Sequence, residues 1–317
     1  MRIYCNTLLV ASLGMLVSCG NGGNSSNSSR ESRADSLSAV SVGKPTQLPF
    51  PEVPPEYDTP EKRITYVLNV YWDGLDFTDR SLSLDTVFME QSFSNFISLL
   101  RYEQNAAPPM THLVENAAAD TLATIFLWNI ADKYLNDPNS PMRNGELYRT
   151  FLQALGRSPV ITDDYREKLI YQQGIANLNR PGFVANDFRF VSRKGVSTSL
   201  LESAKGEVTL LMFYDPDCES CKGIMRKISE TKLPEGLRVI AIDAEDDREL
   251  WKSTADSFPD SWIVGFATDD VQGEPLYHLP AMPTIYLLDK DGKVLLKDPS
   301  AETALSAAAS ILGKRIE

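Results

Sequence analysis

Val208-Thr-Leu-Leu-Met-Phe-Tyr214, followed by Asp215-Pro-Asp-Cys218-Glu-Ser-Cys221-Lys222, decides the fold of this chain. The first run has no charge and is bounded by turn residues, so it reads as a strand buried on both faces. Lys222-Gly-Ile-Met-Arg-Lys-Ile-Ser-Glu230 after it reads as an amphipathic helix. The two cysteines therefore sit at a strand-to-helix junction. Unpaired backbone N–H groups and the helix dipole there stabilise a thiolate on the first. The second is close enough to resolve a mixed disulfide. Cys218 is the expected nucleophile and Cys221 the expected resolving thiol.

Downstream, Leu237-Arg-Val-Ile-Ala-Ile-Asp243 reads as a second strand, and Glu249 to Phe258 as a helix. Trp262 to Phe266 reads as a short strand. Thr284 to Leu288 and Lys293 to Leu296 flank Asp289-Lys-Asp-Gly292, a hairpin signal. An Ala-rich helix from Glu302 to Leu312 closes the chain. The order is βαβ, then a hairpin and a last helix. Upstream, Phe183 to Val191 enters this region after a boundary at Pro181-Gly182.

These pieces carry a family resemblance. Residues 181–317 resemble the thioredoxin-like fold, in particular the tethered extracytoplasmic thiol–disulfide oxidoreductases of the TlpA and ResA type. The match rests on Pro181-Gly-Phe183 with Asp187-Phe188, on the strand leading into Cys218-x-x-Cys221-Lys222, on Tyr277-His-Leu-Pro-Ala-Met-Pro-Thr284, and on Tyr286-Leu-Leu-Asp-Lys-Asp-Gly-Lys-Val294. It implies a cis Met282–Pro283 bond facing the cysteines, with Met282, Pro283 and Thr284 as the substrate-binding loop. It also implies a disulfide-bearing exported protein as substrate and an upstream thiol donor that regenerates the dithiol. No cofactor or metal is implied.

The chain departs from the family in three places. Thioredoxins carry a buried Asp six residues before the first cysteine, where Met212 stands here. The tethered reductases place an acid after the next strand instead, which points to Glu245 or Asp246 as proton acceptor if it is partly buried. The usual Trp before the first cysteine is Asp217. With Asp215 and Glu219 it puts three carboxylates near Cys218. These acids are expected to offset the helix dipole, which favours the disulfide form and makes the pair reducing.

A peroxiredoxin needs Thr three and Pro seven residues before its reactive cysteine, where this chain has Asp215 and Leu211. A zinc site lacks ligands, since His112 and His278 are the only histidines. His278 reads as a solvent-facing loop residue. The alternative to an enzyme is a lipid-anchored binding module on a thioredoxin-like scaffold with vestigial redox chemistry.

The chain has 317 residues, 23% charged and 43% hydrophobic, with a net charge of −12. That charge argues against a nucleic-acid partner. Residues 1–18 read as a lipoprotein signal peptide: Arg2, an apolar core from Thr7 to Val17, then Ser18-Cys19, which resembles the bacterial lipobox. That resemblance implies Cys19 as the lipidation site, anchoring the protein to the bacterial cell envelope, facing the periplasm or the outer surface. Cys5 leaves with the signal, so Cys218 and Cys221 are the two thiols left free. Residues 19–60 read as a Ser/Asn/Gly-rich and then Pro-rich tether. Residues 61–180 read as a mainly helical domain of unknown function, loosely similar to one that precedes thioredoxin-like modules in exported lipoproteins of the Bacteroides group. Its aromatics Tyr71, Trp72, Phe77, Phe88, Phe93 and Phe96 read as core. Thr111 is read as a helix N-cap after Pro108-Pro109. Leu113 to Tyr134 reads as one helical stretch.

Overall fold

Val208–Tyr214 is the centre of a seven-stranded sheet, and every residue in it is buried. The computed structural model describes residues 44–245, 247–273 and 276–313. The expectations for residues 1–43, Cys19 and its signal sequence among them, and for Asp246 lie outside the described residues.

Among the described residues seven α-helices come first: α1 (Pro60–Val70), α2 (Arg80–Ser83), α3 (Thr86–Leu100), α4 (Ala107–Ala117), α5 (Thr121–Ala131), α6 (Gly145–Leu155) and α7 (Asp163–Asn177). Side-chain caps start several of them. Asp85 accepts the Phe88 N–H, Asp120 those of Leu122 and Ala123, and Asn144 that of Leu147. The six aromatics expected in the core are all buried, and Trp72 packs edge-on against Tyr71 and Phe96.

Two readings of this region are corrected. Thr111 lies inside α4, because the helix begins at Ala107 and takes both prolines into its first turn. A missing N–H costs nothing there, so proline starts the helix and does not delay it. The apolar stretch from Leu113 to Tyr134 is two helices. Asp120 breaks it by adopting extended backbone (φ −139°, ψ 123°) and capping α5.

The sheet region follows: β1 (Arg189–Ser192), β2 (Ser197–Ser199), α8 (Leu200–Ala204), β3 (Val208–Tyr214), α9 (Glu219–Glu230), β4 (Leu237–Asp243), α10 (Arg248–Ala255), β5 (Ile263–Ala267), β6 (Thr284–Leu288), β7 (Val294–Lys297) and α11 (Ala301–Ile311). The strand order is β2-β1-β5-β4-β3-β6-β7. β3 runs parallel to β4 and antiparallel to β6. Alternation divides its side chains between two layers. Leu210, Met212 and Tyr214 join Val239 and Ala241 in the apolar layer that includes residues of α9, α10 and α11. Leu211 and Phe213 join Ile240, Ile242, Tyr277 and Phe188 on the other side. The hairpin between β6 and β7 closes as expected: Asp289 accepts the N–H groups of Asp291 and Lys293, and Gly292 takes φ +77°.

Pro45–Glu317 is one compact unit, so the helical and sheet regions adjoin. Lys297 at the end of β7 donates to the carbonyls of Leu178 (2.7 Å) and Ile175 (3.3 Å) at the end of α7. Arg143 pairs with Asp298. Asn179 is buried, accepts the Asn186 N–H and donates to the Leu276 carbonyl, both at 2.7 Å. The connecting segment then runs along β7. Gly182 N donates to Val294 O, Val294 N to Phe183 O, and Ala185 N to Gly292 O.

Candidate active site

Cys218 is the N-cap of α9, with extended backbone at φ −76° and ψ 116°. Its sulfur accepts the Cys221 N–H at 3.4 Å and lies 3.6 Å from Ser220 Oγ. Cys221, one turn later, faces the core and is fully buried. Both are free thiols. The Met282–Pro283 bond is cis, as the resemblance implies. The Cys218 thiol donates to the Met282 carbonyl at 3.7 Å, so that loop stands directly opposite the more accessible cysteine.

The two thiols are pushed in opposite directions. Partial burial works to raise the pKa of Cys218, but hydrogen bonds from Ser220 and Cys221 outweigh it and bring the thiol below its usual range. Burial pushes Cys221 up to about 12. The expectation that nearby acids cancel the dipole is therefore corrected. Asp215 turns its carboxylate to the Asp217 N–H (2.7 Å), and Glu219 turns to Lys222 (2.8 Å). Each acid has a partner of its own, and neither is among the groups that set the Cys218 thiol.

Thr284 is only 1% exposed, and its hydroxyl donates to Ala281 O at 2.7 Å. It shapes the loop from behind, which leaves Met282 and Pro283, both partly exposed, to meet a substrate.

Glu245 is exposed, so it fails the burial condition for a proton acceptor. The buried acid is Asp243, two residues earlier, which the sequence reading passed over as the end of a strand. It is 0% exposed. It pairs with Tyr214 across β3 and β4, and alternation puts it on the Tyr214 side of the sheet, the side that holds Cys221. Its Oδ1 accepts the Glu245 N–H at 2.8 Å, while Oδ2 has no hydrogen-bond partner among the described residues. Among the described residues the Tyr214 hydroxyl and the Trp251 indole N–H, which influence each other, make no close hydrogen bond either. Burial, with the charges of Glu245, Asp215 and Asp247 adding to it, lifts Asp243 to about 7. An acid closing an apolar strand in phase with Val239 and Ala241 was the available signal.

His278 is half-buried, correcting its reading as a solvent-facing loop residue. It lines a groove with Asn129, Asp132 and Asn136 of the helical region. Burial and the nearby Lys297 and Arg143 hold its pKa down. His112 is remote from the cysteines in sequence and pairs with Asp73 at 2.6 Å. Among the described residues, no group of three or more His, Cys, Asp or Glu is placed to hold a metal ion. Among them, too, no helix is long and apolar enough to cross a membrane.

The family model described as "Domain of unknown function (DUF5106)" matches residues 18–179, and the chain belongs to that family. No curated protein matches the chain. Among solved structures, a thioredoxin-like protein from Bacteroides caccae is similar over 83% of this chain and 98% of its own, at 27% identity and a TM-score of 0.79. A conserved protein of unknown function from Bacteroides fragilis is 34% identical over 40% of this chain and 98% of its own, with a TM-score of 0.36. The thioredoxin domain of a thiol-disulfide oxidoreductase from Bacteroides vulgatus is 20% identical over 42% of this chain and 98% of its own, also with a TM-score of 0.36. The fold of the sheet region is thioredoxin-like.

Proposed function

We propose that this chain of the DUF5106 family is a thiol–disulfide oxidoreductase, tethered to the bacterial cell envelope through Cys19, that reduces or isomerises disulfides of exported proteins. The observation that carries the reading is the pairing of an accessible, acidified Cys218 with the Met282 carbonyl at 3.7 Å, above a buried Cys221.

The Cys218 thiolate attacks one sulfur of a substrate disulfide. A Cys218–substrate bond forms, the substrate S–S bond breaks, and one substrate thiolate leaves. Cys221 then gives up its proton and attacks Cys218. The Cys218–Cys221 bond forms and the second substrate thiolate leaves. The substrate gains two electrons, and an upstream dithiol must return them to the protein. We assign the Cys221 proton to Asp243, whose pKa near 7 lets it accept and release a proton at neutral pH.

The direction follows from Cys221. A thiol held near 12 is a poor leaving group, so the oxidised pair yields its disulfide reluctantly. That supports a reducing pair although Cys218 is acidified.

Cys221→Ser tests the reading. The variant is expected to hold a polypeptide on Cys218 as a mixed disulfide, releasable by dithiothreitol. A variant that traps nothing, together with wild type unable to reduce any disulfide, would favour the binding-module alternative. A measured potential near that of strongly oxidising dithiols, about −120 mV, would reverse the direction.

A further inference from the structure

A pocket of about 360 Å³ opens beside the exposed first turns of α9. Asp215 and Pro216 line it. Cys218 N donates to Asp215 O at 3.1 Å, closing a turn that keeps the two residues within about 7 Å of each other. The floor is apolar. Tyr214 and Met225 are buried in it, and Phe258 stands edge-on to Tyr214 with ring centroids 5.5 Å apart.

Arg226 lines the same pocket. Its side chain is exposed and, among the described residues, forms no hydrogen bond and no salt bridge. Lys222, the other cation here, is already held by Glu219 at 2.8 Å. The far wall is fixed from behind. Arg193 donates to the carbonyls of Ala255 (3.1 Å), Phe258 (2.8 Å) and Pro259 (2.7 Å). The pocket is thus pre-formed, which lowers the ordering cost of filling it.

Charge is graded along this surface. Asp215, Asp217 and Glu219 flank Cys218 in the sequence, while the Arg226 guanidinium, whose charge also acts on Glu219, lies about two turns further along α9. An acidic residue beside a substrate cysteine meets carboxylates; one further along the chain meets Arg226. A chain extends about 3.3 Å per residue, so a residue two or three positions from a cysteine engaged at Cys218 reaches the pocket. The volume lies at the small end of ligand sites and suits one large side chain.

We propose that this pocket is a subsite for the disulfide-bearing polypeptide, taking one aromatic or large aliphatic side chain with a carboxylate next to it that pairs with Arg226. It rests on the thiol-exchange reading for its substrate, and it gives that substrate a sequence preference and a chain direction. The test uses disulfide peptides carrying Phe-Glu, Phe-Lys or Gly-Gly three residues from the cysteine, with the neutral 2,2′-dithiodipyridine as a probe of exchange competence in the wild type. The same peptides, with cysteine replaced by serine, are titrated onto the Cys218→Ser/Cys221→Ser protein. Phe-Glu is expected to exceed Phe-Lys about fivefold in kcat/KM and in affinity, Arg226→Glu to invert that ratio, and Gly-Gly to be the weakest of the three. Equal values for the three peptides, or a ratio unchanged in Arg226→Glu, would overturn the subsite. Failure of the wild type to reduce dithiodipyridine would instead remove the exchange reading, while the titrations still decide whether the pocket binds.

Discussion

The helical and sheet regions bury polar groups in different ways. From α1 to α7 the buried polar residues are hydroxyls. Ser92 accepts the Leu48 N–H and donates to Phe88 O, and Thr124 donates to Ala117 O. The side-chain groups left without partners among the described residues, on Tyr71, Trp72, Ser83 and Ser158, are neutral dipoles. The sheet region buries a thiol and a carboxylate within one layer, and one oxygen of the carboxylate has no partner. A neutral buried group costs a little stability, but a buried ionisable group also changes its proton affinity. The thiol exchange proposed for this chain draws on the second kind of burial alone.

The sharpest way to break that comparison is at the thiols. Cys218→Ser should abolish disulfide reduction, while thermal unfolding shifts little because Cys218 is partly exposed. Turnover surviving in this variant would put the chemistry elsewhere.

Asp243→Asn comes next. Its folded pKa of about 7 lies above the ordinary carboxylate value of 3.8, so between those pH values the folded state binds more protons than the unfolded one. Stability must then fall as pH rises through that window, by up to roughly 4 kcal/mol from this group. The asparagine variant should lose this decline when urea midpoints are compared at pH 4.5 and 7.5. It should also lose an inflection near pH 7 in turnover. A wild-type midpoint that rises over that interval, unchanged in the variant, would refute the assignment.

Arg193→Ala should cost about 2–4 kcal/mol, because three carbonyls at the end of α10 lose a shared charged donor. Chemical denaturation reads it directly. The smallest effect is expected in the helical region. Asp120→Ala removes the α5 cap and its bond to Arg80, at about 1 kcal/mol. Its reduction potential should stay at the wild-type value; a shifted potential would show that the two regions are coupled more tightly than their burial patterns suggest.

Most of the sheet region was legible before any coordinates, because its signals are local. An uncharged run marks β3, Asp289 to Gly292 can hardly be anything but a turn, and the cysteine spacing is fixed by one turn of helix. The misreadings came from features that depend on orientation or on distant packing. Counting charges finds Asp215 and Glu219 near Cys218 but does not show that one turns to a backbone N–H and the other to Lys222. The acid after β4 was sought in the charged loop, where Glu245 is solvated. The buried acid ends the strand itself, in the layer that also holds Trp251 of α10. In the helical region, Asp120 was overlooked inside an apolar stretch although it is a strong capping residue.

The segment from Gly182 to Ala185 has a second use beyond joining the two regions. β7 is the last strand on its side of the sheet, and an uncovered last strand is a template for pairing with another chain. The three backbone hydrogen bonds from this segment occupy part of that template. A protein cut after Ala185 would keep both cysteines and every strand of the sheet yet expose a sticky margin. The sheet region should therefore stay monomeric in isolation only when it begins at or before Pro181.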